Sequence, residues 1–373
     1  MPDFHYQTAP FDGGQLLPLD RFLGVKGDTR AILASGGEKV VAMPPLWPGA
    51  EIEPYPGAIT PDVAVYKLDN VTVVGPSILL RDEMALFPTG CYPVYVEKWI
   101  TSGWLAGRFK NYCNPSDNAP VLEIDTAYVP FHFNAAVYGH FLGEVVPALL
   151  AIKALQSEGL THPILMPSGN YTWVADIVAQ ICPENPIVTY DPQRQIAKVA
   201  QAILPSAGAG PYFAVNKLVR NWFHDLARSA PEPELPHDRL FIIRDKGTSF
   251  RFLENHDELK DICLEAGFHA VAPEKLPWMQ QVGLFHNSKV VVGELTSSLH
   301  NTIFCKPETR VLILNRIGRM QDGIGASFGH RNGYILPEDG RPRVFERDWK
   351  ERQNFRISVE EFKDRLAILC DGD

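Results

Sequence analysis

The sequence predicts an α/β protein: two halves that each alternate strand and helix, a cleft between them, and a β-rich extension in front. Three observations predict this. Proline and glycine punctuate short apolar runs over roughly the first third of the chain, and from Phe131 the hydrophobic period becomes helical. A second alternation of strands with helices of roughly ten residues follows, the pattern of a parallel sheet covered on both faces. Between the two lies Pro231-Glu232-Pro233-Glu234-Leu235-Pro236, proline-rich and without apolar period, which reads as a hinge.

In order along the chain, the extension spans 1–125. Its runs Val63–Leu68 and Val71–Val74, with turn signals at Asp69-Asn70 and Gly75-Pro76, read as hairpins. The first α/β domain, 126–233, opens with a helix over Tyr138–Ser157, whose Phe141, Leu142, Val145, Leu149, Ile152 and Leu155 share one face. Strand 163–166, helix 171–181, extended stretches 187–190 and 199–204 and helix 216–228 complete it. The second domain, 237–357, reads as strand 239–244, helix 257–266, strand 270–272, helix 277–286, strand 289–293, helix 297–304 and strand 310–314. Residues 358–373 have helical period.

Composition excludes several classes. Apolar residues make up 45% and charged residues 21% of the 373, which fits a globular chain. A net charge of -9 without a basic block argues against a nucleic-acid surface. No segment reads as the roughly 20 apolar residues that span a bilayer. Met1–Tyr6 has no basic region leading into an apolar stretch, so cytoplasm is the expected compartment. Cys91, Cys113, Cys182, Cys263, Cys305 and Cys370 stand far apart, suggesting neither a zinc site nor a disulfide framework.

The chemistry concentrates in Val290-Val-Val-Gly-Glu294-Leu-Thr-Ser-Ser-Leu-His-Asn301. A β-branched run ends in glycine and an acid, and Thr296, Ser297 and Ser298 then open a helix. Free N–H groups and hydroxyls at such a start attract a phosphate. No dinucleotide or P-loop consensus is present. Arg244 ends a strand at the edge where α/β sheets bind ligands, and Arg251 follows in the loop; a guanidinium pair can clamp a diphosphate. Both could equally be surface arginines paired with Asp245 and Glu254. Glu294 would repel a diphosphate and is better suited to sugar or ribose hydroxyls, or to ordering Arg244. Asn255 reads as an N-cap with Glu258 three residues on. His140 and Glu144, four apart, share a helix face, where either could act as general base or the two could form an ordinary ion pair. His132 reads as a core-edge histidine.

The ordered set Arg244…Arg251…Asn255, Gly267-Phe268, Gln281-Val282 and Val291-Val-Gly-Glu294…Asn301…Phe304, with His140…Glu144…Pro147 upstream, resembles glycosyltransferase family 61. The resemblance runs from about Val71 to Leu314. Two positions depart from the family pattern: Glu294-Leu-Thr-Ser-Ser298 replaces a glycine-rich turn, in the form nearer bacterial members, and Ala148 stands where an arginine is frequent. The resemblance implies a GT-B architecture, with two Rossmann-like domains facing across a cleft and the last helix crossing back onto the first. It implies inverting transfer from a nucleotide sugar without a bound metal or other cofactor. For Gln281 it implies an amide that reads the nucleotide base, for Asn301 a residue that fixes the loop.

The expected function is therefore an inverting transferase. It moves a sugar from a nucleotide sugar, UDP-linked by expectation, to a hydroxyl of a glycan or lipid-linked glycan. By analogy the setting is capsule, exopolysaccharide or lipopolysaccharide synthesis at the inner face of a membrane. Glu144 or His140 would be the base. Arg244, Arg251, Gln281, Glu294, Thr296, Ser297, Ser298 and Asn301 would hold the donor. Two other readings stand beside it: a pyruvyltransferase-like enzyme of the same architecture, and a non-catalytic subunit that binds sugar nucleotides or glycans.

Overall fold

The computed structural model describes residues 16–18, 29–47, 55–75, 77–81, 84–87, 119–130, 135, 137–169, 172–192, 194–233, 238–244, 251–315, 318–340 and 353–371. The chain is mixed α/β and divides into two compact units, 1–38 with 59–211 and 39–58 with 212–373.

The first unit is built on one nine-stranded sheet. Strands β1 (Leu16–Pro18) and β2 (Thr29–Ala34) precede two short pairing strands, β3 (Lys39–Val40) and β4 (Ala58–Ile59). Then come β5 (Val63–Val74), β6 (Ile78–Arg81), β7 (Met84–Phe87), β8 (Val121–Tyr128), β9 (Ile164–Pro167), β10 (Ile187–Tyr190) and β11 (Ile196–Pro205). The sheet order is β1-β7-β6-β5-β11-β8-β9-β10, with β2 beside β5. The side from β11 to β10 is parallel, whereas β5 meets β11, β6 and β2 antiparallel. The extension is thus no separate layer packed on the first domain. Its longest strand hydrogen-bonds directly into the parallel set, so the two share one core of Tyr66, Leu68, Val73, Leu165, Val199 and Leu204.

The turn expected at Asp69-Asn70 is also absent. Asn70 takes a φ of 56°, yet β5 runs on through it for 12 residues, because β11 pairs with it on both sides of that position. The turn at Gly75 does form, and Tyr190 fastens it: the phenol donates to Gly75 O at 2.6 Å and accepts from Ser77 N at 2.9 Å.

Helix α1 spans Tyr138–Gln156 and is broken by a π-helical turn at Phe141–Val145. It is long and apolar enough to cross a membrane, but 78% of it is buried inside the unit, and its apolar length reflects packing on several sides. Helix α2 (Thr172–Ile181) lies between β9 and β10 and sets Trp173 edge-on against Phe141, 5.0 Å between ring centres.

The second unit begins with α3 (Lys217–Arg228), N-capped by Asn216. The break between units falls at Pro211–Tyr212, not at the prolines of 231–236, because α3 packs on helices of the second unit. Five strands follow: β12 (Arg239–Ile242), β14 (His269–Val271), β15 (Val290–Glu294), β16 (Arg310–Leu314) and β17 (Arg331–Ile335). They pair in the order β14-β12-β15-β16-β17, all parallel. In chain order this is 2-1-3-4-5, a doubly wound sheet. Every residue of β15 and β16 is buried, as strands covered on both faces must be.

The covering elements are α4 (His256–Glu265), α5 (Trp278–His286), a 3₁₀ helix at Ser297–Phe304, α6 (Arg319–Phe328) and α7 (Val359–Cys370). A short strand, β13 (Arg251–Leu253), pairs in parallel with β18 (Gln353–Phe355). The last helix does not leave this unit for the first. Phe362, Leu366 and Leu369 of α7 join Leu259 and Cys263 of α4 in the second unit's core.

Candidate functional site

Doubly wound sheets bind ligands beyond the carboxyl ends of their strands, at the point where strand order reverses. Here that point lies between β12 and β15. Arg244 follows β12 and Glu294 ends β15, and the register that pairs Ile242 with Gly293 brings them face to face. The Arg244 guanidinium stands 3.7 Å from the Glu294 carboxylate, the arginine partly exposed and the acid 7% exposed. Gly293 allows this approach: a Cβ there would meet the Ile242 side chain at 2.9 Å. The contact is compatible with a role for Glu294 in orienting Arg244.

Thr296, Ser297 and Ser298 follow directly, half-buried, at the start of the 3₁₀ helix rather than of an α-helix. Thr296 is the N-cap but its hydroxyl makes no capping bond, so the turn keeps free N–H donors. Arg251 opens strand β13 instead of lying in a loop; its side chain and residues 245–250 lie outside the described residues. His132, Cys91 and Cys113 also lie outside them.

Gln281 and Asn301 are brought together in the interior of the second unit. The Gln281 amide donates to Leu276 O at 3.0 Å and accepts from Asn301 Nδ2 at 3.1 Å, and Asn301 is fully buried. Each end of the glutamine amide makes one bond within the fold. The pair ties α5 to the 3₁₀ helix and so holds the 296–298 turn in place. Asn255 likewise does not cap α4 with its side chain. Its amide pairs with the backbone of Ile357, accepting from N at 3.2 Å and donating to O at 2.8 Å, which fastens α4 to the chain after β18.

In the first unit, the π-turn of α1 carries Glu144, 6% exposed, and His140 precedes it. His140 Nδ1 lies 3.1 Å from Glu144 Oε1. Burial opposes charge on the imidazole, but the Glu144 charge and hydrogen bond outweigh it and hold the histidine above its ordinary 6.5. π-Turns insert one residue into a helix and recur at functional sites. Ala148 is buried on the same helix and offers no ligand contact. The thiols of Cys182, Cys263 and Cys305 are buried and pushed upward by desolvation, Cys182 to about 12, which makes them inert.

Sequence reasoning missed a second polar group in the doubly wound unit. Asp322, in the first turn of α6, accepts a hydrogen bond from the Tyr334 hydroxyl of β17. Burial lifts its carboxyl from 3.8 to about 6, against the pull of hydrogen bonds from Tyr334 and Asn332. Nearby, Tyr212 keeps a left-handed backbone (φ 54°, ψ 24°) with the Arg319 guanidinium 5.3 Å above its ring. Asp322 shows no spacing signal, because its partner lies on another element and its burial is tertiary.

An arginine, a buried acid and a hydroxyl-bearing turn at the switch point of a doubly wound sheet define a class of α/β protein suited to an anionic ligand. The family model for Glycosyltransferase 61 matches residues 138–312, from the start of α1 into β16. Over those residues the chain is similar to glycosyltransferase family 61. No curated protein matches it.

Proposed function

We propose that the chain is an inverting glycosyltransferase of GT-B organisation. Its second unit would hold the nucleotide-sugar donor, by preference UDP-linked, and its first the hydroxyl acceptor, a glycan or lipid-linked glycan. The match to the family model supports sugar transfer in general. The observation that carries the rest is Arg244 paired with Glu294 at the switch point, directly before the Thr296–Ser298 turn.

Inverting transfer is one displacement. The acceptor hydroxyl gives its proton to a base and its oxygen attacks the anomeric carbon; the bond to the diphosphate breaks on the opposite face, and the diphosphate leaves with the electron pair. Arg244 and the free N–H groups of the turn are suited to the charge that develops on the leaving group, so the step needs no metal. His140 and Glu144 are suited to take the proton, with Glu144 raising the basicity of the imidazole. Cytoplasmic work at the inner face of a membrane, in surface-polysaccharide assembly, completes the proposal.

A thermal-shift screen against UDP, GDP, CMP and dTDP and their sugars, with and without EDTA, tests it. One nucleotide class should raise the melting temperature, unaffected by EDTA. Arg244→Lys keeps a cation beside Glu294 but loses the guanidinium fork, and should weaken that binding by about tenfold. No shift with any nucleotide would reject the donor reading.

A further inference from the structure

Three histidines gather where α3 rests on the remainder of the second unit: His224 of α3, His286 at the end of α5 and His330 between α6 and β17. His224 is within electrostatic reach of both others. We propose that they form an acid-sensitive latch: proton uptake by His330, and by His224 beside it, releases α3 from the aromatic seam on which it packs.

The seam is apolar. Phe223 of α3 is fully buried and sets its ring edge-on to Phe304 and Phe328, each 5.8 Å away between centres. His224 meets Phe328 at 5.8 Å, and the His330 ring stacks on Phe328 at 6.2 Å. His330 is 2% exposed, and neither of its ring nitrogens has a full hydrogen-bond partner among the described residues. A charge there is poorly hydrated and unpaired, which is costly. Burial pushes its pKa from 6.5 to about 4; the Cys305 backbone pulls the other way, and positive charge on His224 adds to the push. His224 is lowered too, by burial and then by His286, Arg228 and Arg220. Asp225 opposes this, but it is exposed and engaged by Arg228. His286 is tied through Nδ1 to Phe304 O at 3.1 Å. On the link into β17, Lys306 and Glu308 are exposed, and Arg331 follows His330 with Arg310 opposite it in register.

The closed seam therefore holds neutral histidine. Its stability is full above about 6.5 and is lost as pH falls toward 4, because the open form takes up protons first. Opening of α3 should be about tenfold more favourable at pH 5.5 than at pH 7.5, the range in which buried histidines act as switches. Since α3 packs on α5 and on the 3₁₀ helix, its release would loosen the element that carries the Thr296–Ser298 turn, whatever that turn binds.

The test is hydrogen exchange of the full chain at pH 7.5 and 5.5, corrected for intrinsic pH dependence and read by mass spectrometry, on wild type, His330→Leu and His224→Gln. In wild type, protection over 217–228 should fall about tenfold at the lower pH, while peptides from β15, β16 and β10 keep theirs. His330→Leu should remove most of that fall, and His224→Gln part of it. Unchanged protection of α3 in wild type would overturn the latch, as would an equal fall throughout the second unit. A fall that persists in full in His330→Leu would overturn it too. Should that variant fail to fold, an undiminished fall in His224→Gln decides against the latch in the same way.

Discussion

Glu144 decides which way His140 titrates. Burial alone would push the imidazole below 6.5; the carboxylate reverses the sign. A raised folded value means that the pair's stabilisation is complete below the ordinary pKa and is lost as pH rises through the folded one. Glu144→Gln removes the charge, so His140 should fall below 6.5, which an NMR titration of the ring protons would detect. If His140 is the base, the acid limb of the kcat/KM profile should move to lower pH with it; if Glu144 is the base, activity should collapse at every pH. Asp322 supplies a second pH dependence. Its carboxyl is raised from 3.8 to about 6, so its contribution is full below about 4 and is lost as pH climbs to about 6. A shift of that size corresponds at most to about 2–3 kcal/mol, and partial solvent access reduces it. Asp322→Asn should flatten this part of the stability–pH curve in chemical denaturation. The two groups differ in how far the sequence reveals them. His140 and Glu144 are four apart on one helix, so their contact follows from spacing. Gln281 and Asn301 are polar residues on separate elements, and their mutual bond depends on packing that no sequence spacing shows.

Among the elements, α6 is fixed by a glycine. A Cβ on Gly323 would meet the Tyr212 carbonyl oxygen at 2.0 Å, where the chain holds its left-handed turn. Ser327 secures the same turn, its Oγ donating to Phe213 O at 2.9 Å and accepting from Val215 N at 3.0 Å. Alanine is the better helix former by about 1 kcal/mol, yet Gly323→Ala should destabilise the protein by about 1–3 kcal/mol, because backbone cannot move aside as a side chain can. Urea denaturation would measure it. Long elements of strong period were readable from the sequence: α1, α2, α3 and four strands of the doubly wound sheet, β12, β14, β15 and β16, fall close to where apolar spacing puts them, whereas β17 was not read. Elements decided by hydrogen-bond partners were not. Asp69-Asn70 signals a turn locally but is overridden by pairing with β11, and residues 297–304 have helical period without fixing whether the helix is α or 3₁₀.

For the whole molecule, the hinge prolines and the true division do not coincide. Composition marks 231–236, but unit membership is set by contacts, and α3 contacts the helices that follow it. The merging of the extension into the first sheet was hidden for the same reason: β5 and β11 lie far apart in sequence, and nothing local encodes their pairing. What did carry through is the position of two charged residues at strand ends. Arg244 and Glu294 each close a β-run in the sequence, and the 2-1-3-4-5 order makes those two ends neighbours. The central claim is that this junction grips the diphosphate of a sugar donor. A crystal structure with a bound nucleoside diphosphate tests it most directly. Diphosphate oxygens should lie within hydrogen-bond distance of the Arg244 guanidinium and of the backbone N–H groups of 296–298. A diphosphate bound elsewhere in the chain, with Arg244 still paired only to Glu294, would contradict it.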